Sequence, residues 1–159
     1  MQYKKQIRYW KTTVVLTIIT LISLSVYSFY GLFTDKFYFL KIDNYIFPLL
    51  TLVHFLYLYV VGFKIKEQEI ADPQMRNLEY SLYVILLVYG FKTIDTLTTL
   101  LSYGEYDNHI IPNTFIPMGI TMLILYIFLL FLTFLSFKLR KEFVGDYNFE
   151  NMTDIDSWH

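Results

Sequence analysis

Cysteine is absent from the 159 residues, which removes disulfides, thiolate metal sites, iron–sulfur ligation and thiol nucleophiles together. Glycine is scarce, six in all, and no two are spaced as GxxxG, so close backbone contact is not what would drive helix packing in a membrane. Charge is thin as well: 17% of the residues are Asp, Glu, Lys or Arg, where a soluble domain carries about 25%. The formal net charge is −1 and no basic cluster suits nucleic acid. No Gly-rich phosphate loop, HExxH helix, Ser-His-Asp order or carboxylate pair occurs in a polar segment, which argues against hydrolase, kinase and protease chemistry. There is no repeat of fixed period and no low-complexity tract.

What is present is apolar bulk in long blocks. Hydrophobic residues make up 55% of the chain and aromatic ones 20%. Four stretches, about 12–33, 45–63, 80–102 and 115–137, reach the ~20 apolar residues that a bilayer core requires. They predict an all-α polytopic membrane protein, four transmembrane helices joined by short polar segments into an up-down-up-down bundle. The first block is longer than a secretory h-region and has no small-residue cleavage site, so it reads as a retained span. Lys4, Lys5, Arg8, Lys11, Lys64, Lys66, Arg76, Lys138, Arg140 and Lys141 fall on one side of this topology, and only Lys36 and Lys41 on the other. The positive-inside rule then places both termini in the cytoplasm. The expected location is a bacterial inner membrane, with an organelle inner membrane as the alternative. Asp72-Pro73 reads as a helix N-cap and first helical position, and Gly145 as a helix stop. Residues 1–144 thus form the membrane domain and 145–159 a cytoplasmic tail.

A charged side chain at mid-bilayer costs roughly 2.5–3.5 kcal/mol on insertion scales, yet the third block places Lys92 and Asp95 near its middle. At ~1.5 Å per residue, Lys92 lies about 18 Å and Asp95 about 22 Å from the inner face. His54 lies about 16 Å from that face, with Tyr126, Ser23 and Ser25 at nearly the same height. Lys92 and Asp95 are three residues apart on one helix face, and ionisable groups at such depth turn inward and pair. The expectation is one internal polar site of Lys92, Asp95 and His54, with Tyr126 beside it. Structural pairing, proton or ion handling, and ligand contact are all open to it.

No metal site is expected, because Glu105, Asp107 and His109 of the second outer turn are ordinary turn formers. Nor does the chain hold a cofactor by itself: haem or quinone would require a partner chain, since His54 is the only histidine at depth. The tail "DYNFENMTDIDSWH" sets Tyr147, Phe149 and Trp158 among four acidic residues with no basic one. That composition suits either a solvated tail or a segment docking on a basic partner. The expected function is that of a non-enzymatic subunit or interaction module of a larger membrane complex, contacting lipid and other membrane subunits or further copies of itself. A homo-oligomeric proton or ion channel or transporter, and a membrane redox subunit contacting quinone or haem, are the alternatives.

Overall fold

In the computed structural model, which describes residues 2–106 and 110–147, four long helices account for most of the chain. They are α1 (Gln2–Tyr27), α2 (Ile46–Glu67), α3 (Pro73–Leu101) and α4 (Phe115–Val144). Two-residue strands β1 (Tyr30–Gly31) and β2 (Lys36–Phe37) form a small hairpin after α1. Short 3-10 turns span Ile42–Tyr45 and Ser102–Tyr106. Each of the four helices is long and apolar enough to cross a membrane, which makes this an integral membrane protein by length and composition.

Local chemistry sets the helix ends. Asp72 caps α3, its Oδ1 accepting from the Met75 amide at 2.7 Å, and Pro73 fills the first helical position, where a missing N–H costs nothing. Gly145 ends α4 with φ of 92°, a conformation open to glycine but strained for other residues, while its amide still bonds to the Lys141 carbonyl at 3.1 Å. α1 stops at Tyr27, short of the expected limit at residue 33. Ser28 sits at that break, with its Oγ 2.7 Å from the Ser25 carbonyl and 2.9 Å from the Asn44 carbonyl. The following residues fold back with Tyr30 opposite Phe37 and Gly31 opposite Lys36.

α4 packs against α1, α2 and α3, and α2 also packs against α1 and α3. The buried stripe of α1 runs through Trp10, Thr13, Thr17, Thr20, Leu21 and Leu24 at helical spacing. Its three threonine hydroxyls donate to carbonyls four residues back, those of Tyr9, Thr13 and Leu16, at 2.7–2.9 Å. These polar atoms are thus satisfied within the helix and do not cross to a neighbour. Between α3 and α4 the approach is close: a Cβ on Gly119 would lie 2.5 Å from Leu100 Cδ2. Large apolar residues such as Ile19, Ile22, Leu87, Phe91, Ile124 and Phe131 point outward from the bundle. A soluble bundle would expose polar side chains there, and lipid suits these instead.

Candidate functional site

At the hairpin end of the bundle, a cavity of about 340 Å³ lies between all four helices. α3 contributes Lys92, Asp95, Thr96 and Thr99 to its wall, α4 contributes Tyr126, and the 3-10 turn before α2 contributes Asp43. Lys92, Asp95 and Asp43 are exposed residues, and none of the three takes part in an ion pair among the described residues. Thr96 spends its hydroxyl on the Lys92 carbonyl at 2.8 Å. Tyr126 is 3% exposed, and its hydroxyl has no hydrogen-bond partner among the described residues.

Aromatic rings close the cavity on the side toward the bundle centre. Phe47 and Tyr126, both on its wall, meet edge-on at 5.9 Å, and Phe47 also contacts the buried Tyr89 at 5.6 Å. Behind that floor the Tyr89 hydroxyl lies 3.1 Å from His54 Nδ1, the two rings stacked at 5.9 Å. His54 is 0% exposed and its Nε2 has no hydrogen-bond partner among the described residues. A buried polar group left unsatisfied costs roughly 1–3 kcal/mol, so this nitrogen is an unspent polar position in the middle of the bundle.

The opposite end, where the tail begins, holds a site that sequence reasoning missed. Glu79 of α3 is fully buried and accepts four donors. Arg140 of α4 and Tyr83 of α3 approach Oε1 at 2.8 and 2.9 Å. Tyr147, just past α4, donates to Oε2 at 2.6 Å, and Tyr57 of α2 reaches it at 3.4 Å. Four donors match the acceptor capacity of one carboxylate. Arg140 also donates to the Gly145 carbonyl at 2.8 Å and lies 4.4 Å from the centre of the Tyr147 ring. Burial, together with the bond to Glu79, raises the Tyr147 hydroxyl above its ordinary pKa and keeps it a donor. Nearby, Asp72 lies 2.7 Å from Lys64; although partial burial opposes it, the ammonium and the Met75 amide hold its carboxyl below the ordinary value.

The four residues expected to form one polar site are therefore distributed over two adjacent layers. Lys92, Asp95 and Tyr126 share the cavity, whereas His54 lies behind its floor and bonds to Tyr89, a residue not singled out from the sequence. Lys92 and Asp95 share a wall without forming an ion pair among the described residues, because the i,i+3 spacing fixes where their backbones lie and leaves the long lysine side chain free to turn away from the short aspartate. Ser25 meets Thr51 of α2 at 3.2 Å, and Ser23 bonds to its own helix at the Ile19 carbonyl. Tyr147, expected to face a partner, is spent on the chain's own Glu79. Phe149, Trp158, Asp107 and His109 lie outside the described residues. The one signal for the Glu79 site was a pair of opposite charges at matching heights, just beyond the ends of the third and fourth apolar blocks. No family model, curated protein or solved structure matches this chain.

Proposed function

We propose that this protein is a multi-pass binding subunit of a larger membrane complex. Its four helices run up-down-up-down, with both termini cytoplasmic, in a bacterial inner membrane. Its role is to hold a polar group of a ligand or partner in the hairpin-end cavity, on the side opposite the cytoplasm, without catalysing a reaction. The observation that carries this reading is the pair Lys92 and Asp95, exposed on a cavity wall within an apolar helix and paired with nothing among the described residues. Such charges are costly to place in a membrane span, and the cost is repaid when something binds them. The ten-to-two distribution of Lys and Arg supports the orientation.

A second reading, proton or ion handling, is favoured by one observation, the Nε2 of His54 below the cavity floor, which has no hydrogen-bond partner among the described residues. Haem contact finds less support, since His54 is fully buried and has no open ring face for a macrocycle. Purification in mild detergent, followed by native mass spectrometry and an optical spectrum, tests the proposal. The expected result is a colourless assembly with further membrane subunits or bound ligand, lost in Lys92→Met and Asp95→Asn. A bare monomer with a Soret band would overturn it.

A further inference from the structure

The connection between α1 and α2 carries an apolar surface that packing of the bundle does not use. Every residue from 33 to 43 is exposed, and Leu40 and Ile42 keep 99% and 83% of their surface open. The segment is nonetheless ordered. The Phe39 ring lies 5.4 Å from that of Phe29 and stacks on Phe37 at 6.0 Å, and the Tyr30 hydroxyl bonds to Thr114, just before α4, at 3.1 Å. A turn built for water would fold such large apolar side chains inward, whereas this one presents them outward together.

We propose that this segment is a membrane-surface anchor. It sits in the headgroup layer of the leaflet at the hairpin end, with Leu40 and Ile42 toward the acyl chains and Lys36 and Lys41 against lipid phosphates. Its apolar surface is continuous with the lipid-facing side of the bundle. Exposed residues recur at Ile42, Ile46, Leu49, Leu52 and Leu56 in steps of three or four, one unbroken stripe, because the 3-10 turn Ile42–Tyr45 runs directly into α2. The depth agrees. At ~1.5 Å per α-helical and ~2.0 Å per 3-10 residue, Ile42 lies about 35 Å from Lys64, the first charge after the apolar run of α2. A hydrocarbon core of ~30 Å within a bilayer of ~40–45 Å puts that point in the headgroup layer.

The polar atoms suit the same place, since backbone that leaves water must satisfy its own carbonyls. The Phe29 carbonyl accepts from the Tyr38 amide at 2.7 Å. Those of Tyr38 and Phe39 accept from the Asn44 side chain and the Tyr45 hydroxyl, both at 2.9 Å. Asp35 accepts from the Tyr30 hydroxyl, and Asp43 belongs to the cavity wall. Lys36 and Lys41 flank the apolar residues and form no ion pair among the described residues. Their long stems can lie along apolar surface while the ammonium groups reach phosphate. A water-soluble partner would account for neither the unbroken stripe nor the depth. Tyr30, Leu32, Phe33 and Asp43 of this connection line the cavity, so the leaflet would hold one of its walls in place.

The absence of cysteine allows single nitroxide labels on the full chain. Leu40→Cys, Ile42→Cys, Leu52→Cys and Lys66→Cys are each labelled and reconstituted in vesicles of phosphatidylethanolamine and phosphatidylglycerol. Power-saturation electron paramagnetic resonance then compares collisions with oxygen, which concentrates in lipid, and with a water-soluble nickel chelate. The oxygen-to-nickel ratio at positions 40 and 42 should lie severalfold above that of Lys66→Cys and below that of Leu52→Cys. Ile42→Asp added to Leu40→Cys should bring its ratio down to near that of Lys66→Cys. The same change added to Leu52→Cys should leave the ratio there unmoved, which separates loss of anchoring from misfolding. A water-like ratio at positions 40 and 42 would overturn the proposal, as would a Leu40→Cys ratio indifferent to Ile42→Asp. Few collisions with either reagent would also overturn it, because protein and not lipid would then cover the segment.

Discussion

Replacing Glu79 with leucine should cost about 3–5 kcal/mol, the range for breaking a buried ion pair by removing one partner. The geometry says why the figure lies there. The Glu79 side chain is 0% exposed and that of Arg140 7%, so the orphaned guanidinium cannot readily recover water and keeps the Gly145 carbonyl and the face of the Tyr147 ring. Adding four charge-assisted hydrogen bonds at ~1.5–3 kcal/mol each would give a larger sum, but it overcounts. Tyr83 is 42% exposed and Tyr147 half-buried, so their hydroxyls can turn to water once the carboxylate is gone. For a chain of this length each kcal/mol moves the melting midpoint by about 2–4 °C, so Glu79→Leu should lower it by about 6–20 °C. Thermal unfolding of the purified protein in one detergent, followed by intrinsic fluorescence, reads this shift. Arg140→Met should also destabilise, whereas the double variant should recover most of the loss, because two apolar side chains leave no stranded charge. If Glu79→Leu melts within ~1 kcal/mol of the parent, or the double variant is no better than the worse single, the cluster does not hold the bundle as argued.

Three further tests address other parts of the molecule. Cysteines introduced at Gln68 and Asn108 should be labelled by impermeant reagents from the cytoplasmic and the opposite side respectively; labelling of Asn108→Cys from the cytoplasm alone would invert the proposed orientation. Tyr89→Phe should cost about 1–3 kcal/mol by stripping His54 Nδ1 of its hydrogen bond, and His54→Leu combined with Tyr89→Phe should be nearly neutral for folding. If that double variant folds normally but abolishes a proton flux measured in vesicles, His54 serves transport and not packing. Asp72 has a depressed folded pKa, so its contribution to stability is fully present above its unfolded value of about 3.9 and is lost as pH falls through the folded one. Melting of the parent should thus be flat from pH 5 to 7 on this account and fall below about pH 4. Asp72→Asn, which can still cap α3, should show a shallower acid fall, and an unchanged acid limb would remove Asp72 from the explanation.

The helices were legible because lipid imposes a length and a composition on each, and Asp72-Pro73 and Gly145 punctuate them with residues whose backbone preferences are strong. The end of α1 was not, because residues 28–33 stay largely apolar while the chain turns back on itself, and hydropathy does not register a reversal of direction. Lys92 and Asp95 stand out as charges in an apolar block, and their cost in lipid is what points from sequence alone to an internal polar site. Where their side chains go depends on the α1–α2 connection and on Tyr126, and spacing along α3 says nothing of either. Glu79 and Arg140 escaped notice for the converse reason: each lies at the edge of an apolar block, where charges are common, and their partnership spans 61 positions of sequence.

That separation has a consequence in time. Glu79 leaves the ribosome 61 residues before Arg140 and 68 before Tyr147. At ~5–20 residues per second the carboxylate waits about 3–12 s for its guanidinium. Through that interval α3 carries a charge it cannot bury, so its tail-side end must stay in water while the rest of the helix enters lipid. Final seating of α3 becomes coupled to synthesis of the end of α4, and the tail tyrosine closes over the pair last. A nascent chain cut short before Arg140 would leave Glu79 without its guanidinium partner.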